Sequence, residues 1–126
     1  MSHEWVLDGD ITVKEGKMTE VKEVLRDFHC DITSQNKNQI IFDFYGETFE
    51  SRVSGLADFL KDLVIEGTID ALDEDEAAYS AYMFHDGTYD FANGITLVYY
   101  PGYADRFVDK LPKEIVDAVL KKYGNA

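Results

Sequence analysis

The sequence predicts an α+β domain: a ferredoxin-like (βαββαβ) antiparallel sheet, extended by a C-terminal β-meander and terminal helices. Apolar residues alternate with polar ones in several short stretches and recur at steps of three and four in two longer ones. Their order is strand, helix, strand, strand, helix, strand, which is the split βαβ arrangement. The 126 residues suit one domain, with a core at 1–72, a meander at 73–101 and C-terminal helices at 103–124.

The first strand and the first helix are predicted in residues 5–28. Two apolar triplets between Trp5 and Val13 surround Asp8-Gly9-Asp10, where we expect a bulge in a single strand. The helix follows, with Thr19 as its expected N-cap. Its apolar face consists of Val21, Val24, Leu25 and Phe28.

A hairpin comes next. Cys30–Thr33 is a short strand with Ile32 pointing inward, and Gln39–Tyr45 is a clear strand that we expect Gly46 to end. Alternation places Ile40, Phe42 and Phe44 on one face and Ile41, Asp43 and Tyr45 on the other. Both helices are expected to cover the face that carries Ile40, Phe42 and Phe44.

The second helix is predicted from Thr48 to Ile65, with Gly67 as its stop. Gly55 inside it costs about 1 kcal/mol relative to alanine. Thr68–Leu72 is then a strand at the edge of the core sheet, and the charged loop Asp73–Glu76 follows it.

The meander is predicted to extend the sheet from that edge. Ala78–Phe84 is a strand, His85–Thr88 is an Asp-Gly hairpin turn, and Tyr89–Phe91 is a short strand. A turn at Ala92-Asn93-Gly94 and a strand at Ile95–Tyr100 complete it. Two amphipathic stretches, 103–111 and 112–124, are expected to form helices that pack on one face of this extension.

The composition excludes several classes of function. A net charge of −13 disfavours direct binding to nucleic-acid phosphates or to an anionic membrane, since both need clustered Lys and Arg. No apolar run approaches the length of a membrane span, and the N-terminus lacks the pattern of a secretory signal. The single cysteine, Cys30, fits a reducing compartment. We therefore expect a cytoplasmic protein.

The residue spacing of this sequence does not match known motifs for catalysis or metal binding. A calcium loop that starts at Asp73 would place Ala78 where glycine is required and Phe84 where glutamate is required. This leaves only weak, non-specific divalent binding at Asp73–Glu76 open. The three histidines lack metal-ligand spacing, no nucleophile elbow or phosphate loop is present, and Cys30 is expected to be a small core residue. We therefore predict no catalytic residues, no metal ligands and no cofactor.

One stretch, from Asp62 to Asp105, is unusual. It contains ten carboxylates and no Lys or Arg, together with six of the eight tyrosines. Tyrosine supplies large contact area and a hydroxyl at little entropic cost. We predict that this stretch contributes the partner-binding residues Asp73, Glu74, Asp75, Glu76, Tyr79, Tyr82, Asp86, Tyr89 and Asp90.

These features favour a small, acidic, non-enzymatic domain that binds another protein. Its partner is expected to be basic and to bind nucleic acid, as the targets of toxin-immunity proteins or phage anti-defence proteins do. Carboxylates would steer the encounter, and aromatic residues would supply the desolvated contacts. The alternatives are a small-molecule-binding domain, a homodimeric structural protein with a sheet-face site, a weak carboxylate-based enzyme, and a domain whose charge serves solubility alone. The protein is expected to be a monomer or a homodimer.

Overall fold

The structure, a computed structural model, describes residues 2–76 and 78–96. Its helices and strands are, in order, β1 (His3–Val13), α1 (Met18–Asp27), β2 (Asp31–Gln35), β3 (Gln39–Thr48), α2 (Glu50–Leu60), β4 (Val64–Asp73), β5 (Ala78–His85) and β6 (Thr88–Thr96). The helices predicted in 103–124, and the strand residues predicted after Thr96, lie outside the described residues. Within the described ranges, no helix is long and apolar enough to cross a membrane.

The six strands form one antiparallel sheet in the order β2-β3-β1-β4-β5-β6. With its two helices, this sheet confirms the predicted α+β class. β5 and β6 continue the sheet beyond β4, where the sequence placed the meander.

The core lies between the two helices and one face of the sheet, which we call the helix face. Along β1, residues of odd number from Trp5 to Val13 point to this face, and β3 contributes Ile40 and Phe42. The helices complete the cluster with Val21, Leu25, Val53, Leu56, Ala57 and Leu60. Residues of the opposite parity, including Asp8 and Asp10, define the other side of the sheet, which we call the open face.

Gly9 lies in the middle of β1 without a bulge, so the bulge predicted at Asp8-Gly9-Asp10 is wrong. Pairing with β3 is continuous from His3 to Thr12, and pairing with β4 first shifts between Thr12 and Val13. The ring of Phe42, only 1% exposed, occupies the space where a Gly9 side chain would lie. The glycine is therefore a packing requirement and does not interrupt the strand.

The second helix is shorter than predicted, because α2 ends at Leu60 and β4 already begins at Val64. Val64 and Ile65 are β-branched and favour a strand. Gly67 does not stop the helix but lies within β4. Its φ of +132° suits glycine, and a Cβ there would overlap the β1 backbone at Asp10 and Ile11.

Two predicted turns have different outcomes. The hairpin at His85–Thr88 is present, and Asp86 and Gly87 both have positive φ, of 50° and 77°, as a type I′ turn requires. The turn predicted at Ala92-Asn93-Gly94 is wrong. β6 is continuous through it, and a register shift between Tyr79 and Ser80 accommodates the extra residue as a bulge.

Smaller differences occur at the ends of elements. α1 begins at Met18 with Lys17 as its N-cap and no side-chain cap, so Thr19 lies inside the helix. β3 runs past Gly46 to Thr48 because β1 pairs with it along its whole length. Ile32 shares a side with its partner Phe42 but is 37% exposed, since β2 is the outermost strand next to β3.

We predict opposite effects of alanine at two glycines. Gly9→Ala forces a methyl group into the Phe42 ring and is expected to lower the free energy of unfolding by about 1–3 kcal/mol. Gly55→Ala is the matched control. Its Cβ would meet Phe28 at an ordinary 3.9 Å, and the better helix propensity is expected to raise stability by up to about 1 kcal/mol. Urea unfolding measures both, and a neutral Gly9→Ala variant would contradict the packing account.

Candidate functional site

Four aspartates stand side by side across the open face. In the register of the sheet, Asp31 is paired with Asp43, Asp43 with Asp8, and Asp8 with Asp70. Side chains paired in this way have Cβ atoms about 4.5–5.5 Å apart. These residues form a line of like charges across β2, β3, β1 and β4, which we call the aspartate row.

The aspartate row lacks charge compensation within the described part of the chain, where none of its members forms an ion pair. Its one side-chain hydrogen bond there is donated by the Tyr79 hydroxyl to Asp70 Oδ1. Partial burial raises the pKa of Asp8, and the charges of Asp43 and Asp70 raise it further. The fold therefore disfavours the ionised form of Asp8.

Apolar side chains lie beside the aspartate row on the same face. Ile41 and Met83 are 38% and 37% exposed, and Tyr45 is 71% exposed. Asp10 lies next to Ile41 and accepts a hydrogen bond of 2.7 Å from Gln39 Nε2. Acidic groups and exposed apolar side chains thus share one surface, and this combination suits a docking surface.

Three of the predicted partner-binding residues are buried. Asp73, Tyr79 and Tyr82 are 6%, 7% and 3% exposed. Burial raises the pKa of Tyr82 to about 12, and the neighbouring Tyr89, Glu50 and Asp58 add to the effect. These three side chains are therefore poor candidates for surface contacts.

The other predicted residues are more accessible but scattered. Asp75, Glu76, Asp86 and Asp90 are exposed, whereas Glu74 and Tyr89 are half-buried. Asp90 Oδ2 lies 2.9 Å from His85 Nε2 at the β5–β6 hairpin. The Tyr89 hydroxyl donates to Asp58 Oδ1 at 2.7 Å and so ties β6 to α2; this bond raises the pKa of Tyr89. The structure does not bring these residues together as one surface.

Asp73 anchors the acidic loop to the start of β1. Its Oδ1 accepts the backbone N–H groups of Asp75 and Glu76, both at 3.1 Å, and its Oδ2 lies 2.7 Å from His3 Nδ1. Asp75 Oδ2 in turn accepts the backbone N–H of Glu4 at 3.2 Å. An aspartate that caps its own turn in this way has a recognisable sequence signal, an acidic residue directly before a loop.

The same junction contains the described atoms best placed to hold a metal ion. One potential ligand atom from each of His3, Asp73 and Asp75 lies within 4.8 Å of the others. These side chains are engaged with one another and with backbone N–H groups. We therefore assign the junction a structural role in holding β1 to the loop.

Two further concave regions flank the helices. A groove of about 510 Å³ between α2 and the β5–β6 hairpin is lined by Glu50, Ser51, Ser54, Tyr82, Tyr89 and Phe91. A second hollow lies beside Cys30, whose thiol belongs to the core. Burial raises the pKa of Cys30 to about 12, with Asp31 and Asp43 adding to it, so the thiol is not poised for nucleophilic chemistry.

The aspartate row was missed as a site because its members are distant in sequence. The alternation of Asp8, Gly9 and Asp10 and the parity of Asp43 indicate residues that point away from the helices. Their alignment also depends on strand order and register, which a single sequence does not specify. Asp31 and Asp70 join the row only through those pairings.

We predict that the His3–Asp73 contact makes a pH-dependent contribution to the stability of the fold. The hydrogen bond to Asp73 raises the pKa of His3 above 6.5, and the charges of Asp75 and Glu76 add to it. The stabilisation is fully present below the unfolded pKa and is lost as pH rises through the folded pKa. His3→Asn keeps a nitrogen donor but does not titrate, so the pH profile of its melting temperature should lack this component. Superimposable profiles for the two proteins would contradict the assignment.

We also predict that neutralising the centre of the aspartate row stabilises the fold. Like charges directly opposite one another on a sheet are destabilising, so Asp8→Asn should raise the free energy of unfolding at neutral pH by about 0.2–1 kcal/mol. Because the folded pKa of Asp8 is raised, the gain should shrink as pH falls through it and the wild-type carboxyl group becomes protonated. Glu15→Gln, an exposed loop change, is the control and should leave stability unchanged. A destabilised Asp8→Asn variant would show that the row supports the fold.

Comparisons with protein-family models, with curated proteins and with solved structures find no match to this chain. The open face is therefore the feature from which we infer a function. Its aspartate row and its exposed apolar side chains define the candidate site.

Proposed function

We propose that this chain is a small, acidic, non-enzymatic protein that binds a basic surface on another protein through its open face. The aspartate row is the observation that carries the proposal. Four carboxylates lie in register without a described cation beside them. Like charges directly opposite one another destabilise a sheet, and lysine or arginine side chains of a partner would offset that repulsion.

The composition of the open face fits this use. Charged groups of one sign accelerate encounter with a complementary surface. Exposed aromatic and aliphatic side chains then supply the contacts that lose water on binding. Tyr45, which is 71% exposed, is the strongest candidate for such an anchor, with Ile41 and Met83 beside the row.

The chemistry favours a partner that itself binds nucleic acid. Proteins that bind nucleic acids carry clustered Lys and Arg for the phosphate backbone. Adjacent strands are about 4.8 Å apart, so the row presents a linear series of negative charges to such a cluster. A protein that occupies the phosphate-binding surface of a nucleic-acid-binding protein inhibits or neutralises that protein, as toxin-immunity and phage anti-defence proteins do. We place this activity in the cytoplasm, where the one cysteine would remain a thiol.

We further propose that β1 to β4 with α1 and α2 form a ferredoxin-like core. The order of these elements, and the position of β1 between β3 and β4, support this. The six-stranded order differs from that of a four-stranded sheet of this kind because β5 and β6 continue beyond β4. Both described helices cover the helix face, whereas Asp8, Asp31 and Ile41 on the open face are exposed and accessible to a partner.

Affinity capture with matched baits tests the function. The site variant carries Asp8→Asn, Asp43→Asn and Asp70→Asn. The control carries Glu15→Gln, Glu23→Gln and Asp86→Asn, which remove the same charge from exposed positions elsewhere. We expect a basic host protein to be captured by the wild-type chain and the control but not by the site variant. Equal capture by all three would contradict the proposal.

Association kinetics with the captured protein provide the quantitative check. Electrostatic steering raises association rates by about 10- to 1,000-fold, so the site variant should associate at least about tenfold more slowly at low salt. Added salt should slow the wild-type chain steeply, and duplex DNA should compete with it. Binding that neither salt nor DNA weakens would contradict the electrostatic mechanism and the class of partner.

A further inference from the structure

A groove on the helix face is lined by aromatic rings of the β5–β6 hairpin. Strand pairing brings the rings together, because Tyr82 is paired with Phe91 and Phe84 with Tyr89. The centroid of the Tyr82 ring lies 5.4 Å from that of Tyr89 and 4.8 Å from that of Phe91. We call the space of about 510 Å³ between these rings and α2 the aromatic groove. Its volume is in the range of small-molecule sites, about 300–1,000 Å³.

The charged groups at the aromatic groove are carboxylates. Glu50 belongs to its described lining, which contains no Lys or Arg. Asp58, on the same helix, accepts the Tyr89 hydroxyl at 2.7 Å. Burial raises the pKa of Tyr82, and Tyr89, Glu50 and Asp58 raise it further, so both carboxylates lie near its hydroxyl. The groove therefore repels an anion, whereas its carboxylates and the electron-rich ring faces both attract an organic cation.

The Tyr82 hydroxyl is the polar group in the groove that most needs a partner. Tyr82 is only 3% exposed, and buried tyrosine hydroxyls usually form a hydrogen bond. Among the described residues this hydroxyl forms none, although no fully enclosed polar side-chain atom there lacks a partner. The hydroxyl must therefore reach the groove that Tyr82 lines. The Ser54 hydroxyl, by contrast, already donates to the Ser51 carbonyl oxygen at 3.1 Å.

We propose that the aromatic groove binds a small arylalkylamine, an organic cation that carries an ammonium group on an aromatic body. The ammonium group would donate to the Tyr82 hydroxyl and to the Glu50 carboxylate. The aromatic body would pack against Phe91, which is 46% exposed, since ring pairs gain from offset or edge-to-face contact. The groove lies on the helix face and the aspartate row on the open face. This inference therefore goes beyond the proposed function and does not depend on it.

A titration of the ¹⁵N-labelled full chain with 2-phenylethylamine, followed by amide chemical shifts, tests the site. We expect saturable changes at Glu50, Ser51, Tyr82 and Phe91. 3-Phenylpropionate has the same aromatic body and the opposite charge, and it should bind at least about tenfold more weakly. Equal affinity for the two probes would overturn the proposal.

Three other results of this titration would also overturn it. The first is the absence of a saturable change at the aromatic groove. The second is a set of changes confined to the aspartate row, where the amine would act as a simple counterion. The third is tighter binding of Nα-acetyl-lysine amide, which carries the ammonium group without an aromatic body.

Matched variants connect the affinity to particular groups. Tyr82→Phe removes only the hydroxyl and Glu50→Gln only the charge, so each should weaken the binding of 2-phenylethylamine by about three- to tenfold. Glu23→Gln, an exposed change on α1, should leave the affinity unchanged. Phe91→Ala should weaken binding, whereas Phe59→Ala, which removes an aromatic ring that is 64% exposed outside the groove, should not. Wild-type affinity in Tyr82→Phe and Glu50→Gln proteins with native spectra would overturn the proposal.

Discussion

The contact between Gly9 and Phe42 fixes the register between β1 and β3. This register determines which side chains lie on each face of the sheet. The Phe42 ring fills the space above Gly9 on the helix face, in the middle of the central strand β1. That contact requires Gly9 to be paired with Phe42, and the same register pairs Asp8 with Asp43. A slip by one residue would send every side chain of β1 to the opposite face. Core packing and the alignment of the aspartates are therefore consequences of one register.

The carboxylates of this chain have two different physical roles. Asp73 is buried and satisfied, because it caps its own loop and contacts His3. The members of the aspartate row face one another instead, and partial burial with neighbouring charge raises the pKa of Asp8. The first arrangement stabilises the fold, whereas the second opposes it. Local arrangements that oppose stability occur in proteins at functional sites, and this supports the function proposed for the open face.

Local signals in the sequence were sufficient to predict much of the fold. The α+β class, both helices and the Asp-Gly hairpin follow from periodicity and turn chemistry. The errors occur where tertiary contacts determine the local structure. Gly9 resembled a bulge and Gly67 a helix stop, but each is a glycine because another part of the chain lies too close for a side chain. The candidate site was predicted less well. The composition of the stretch from Asp62 to Asp105 led to the prediction of Asp73 and Tyr82 as binding residues, but both are buried. The aspartate row depends instead on pairing between strands that are distant in sequence.

An amide chemical-shift map of the full chain, recorded with and without the captured basic partner, tests the central claim most directly. The proposed function predicts that the largest changes fall on Asp8, Asp43 and Asp70 and on the neighbouring Ile41 and Tyr45. Amides of α1 and α2 should change little, because they lie on the other side of the sheet. Changes confined to the acidic loop at 73–76, or to the helices, would contradict the claim that the open face is the binding surface.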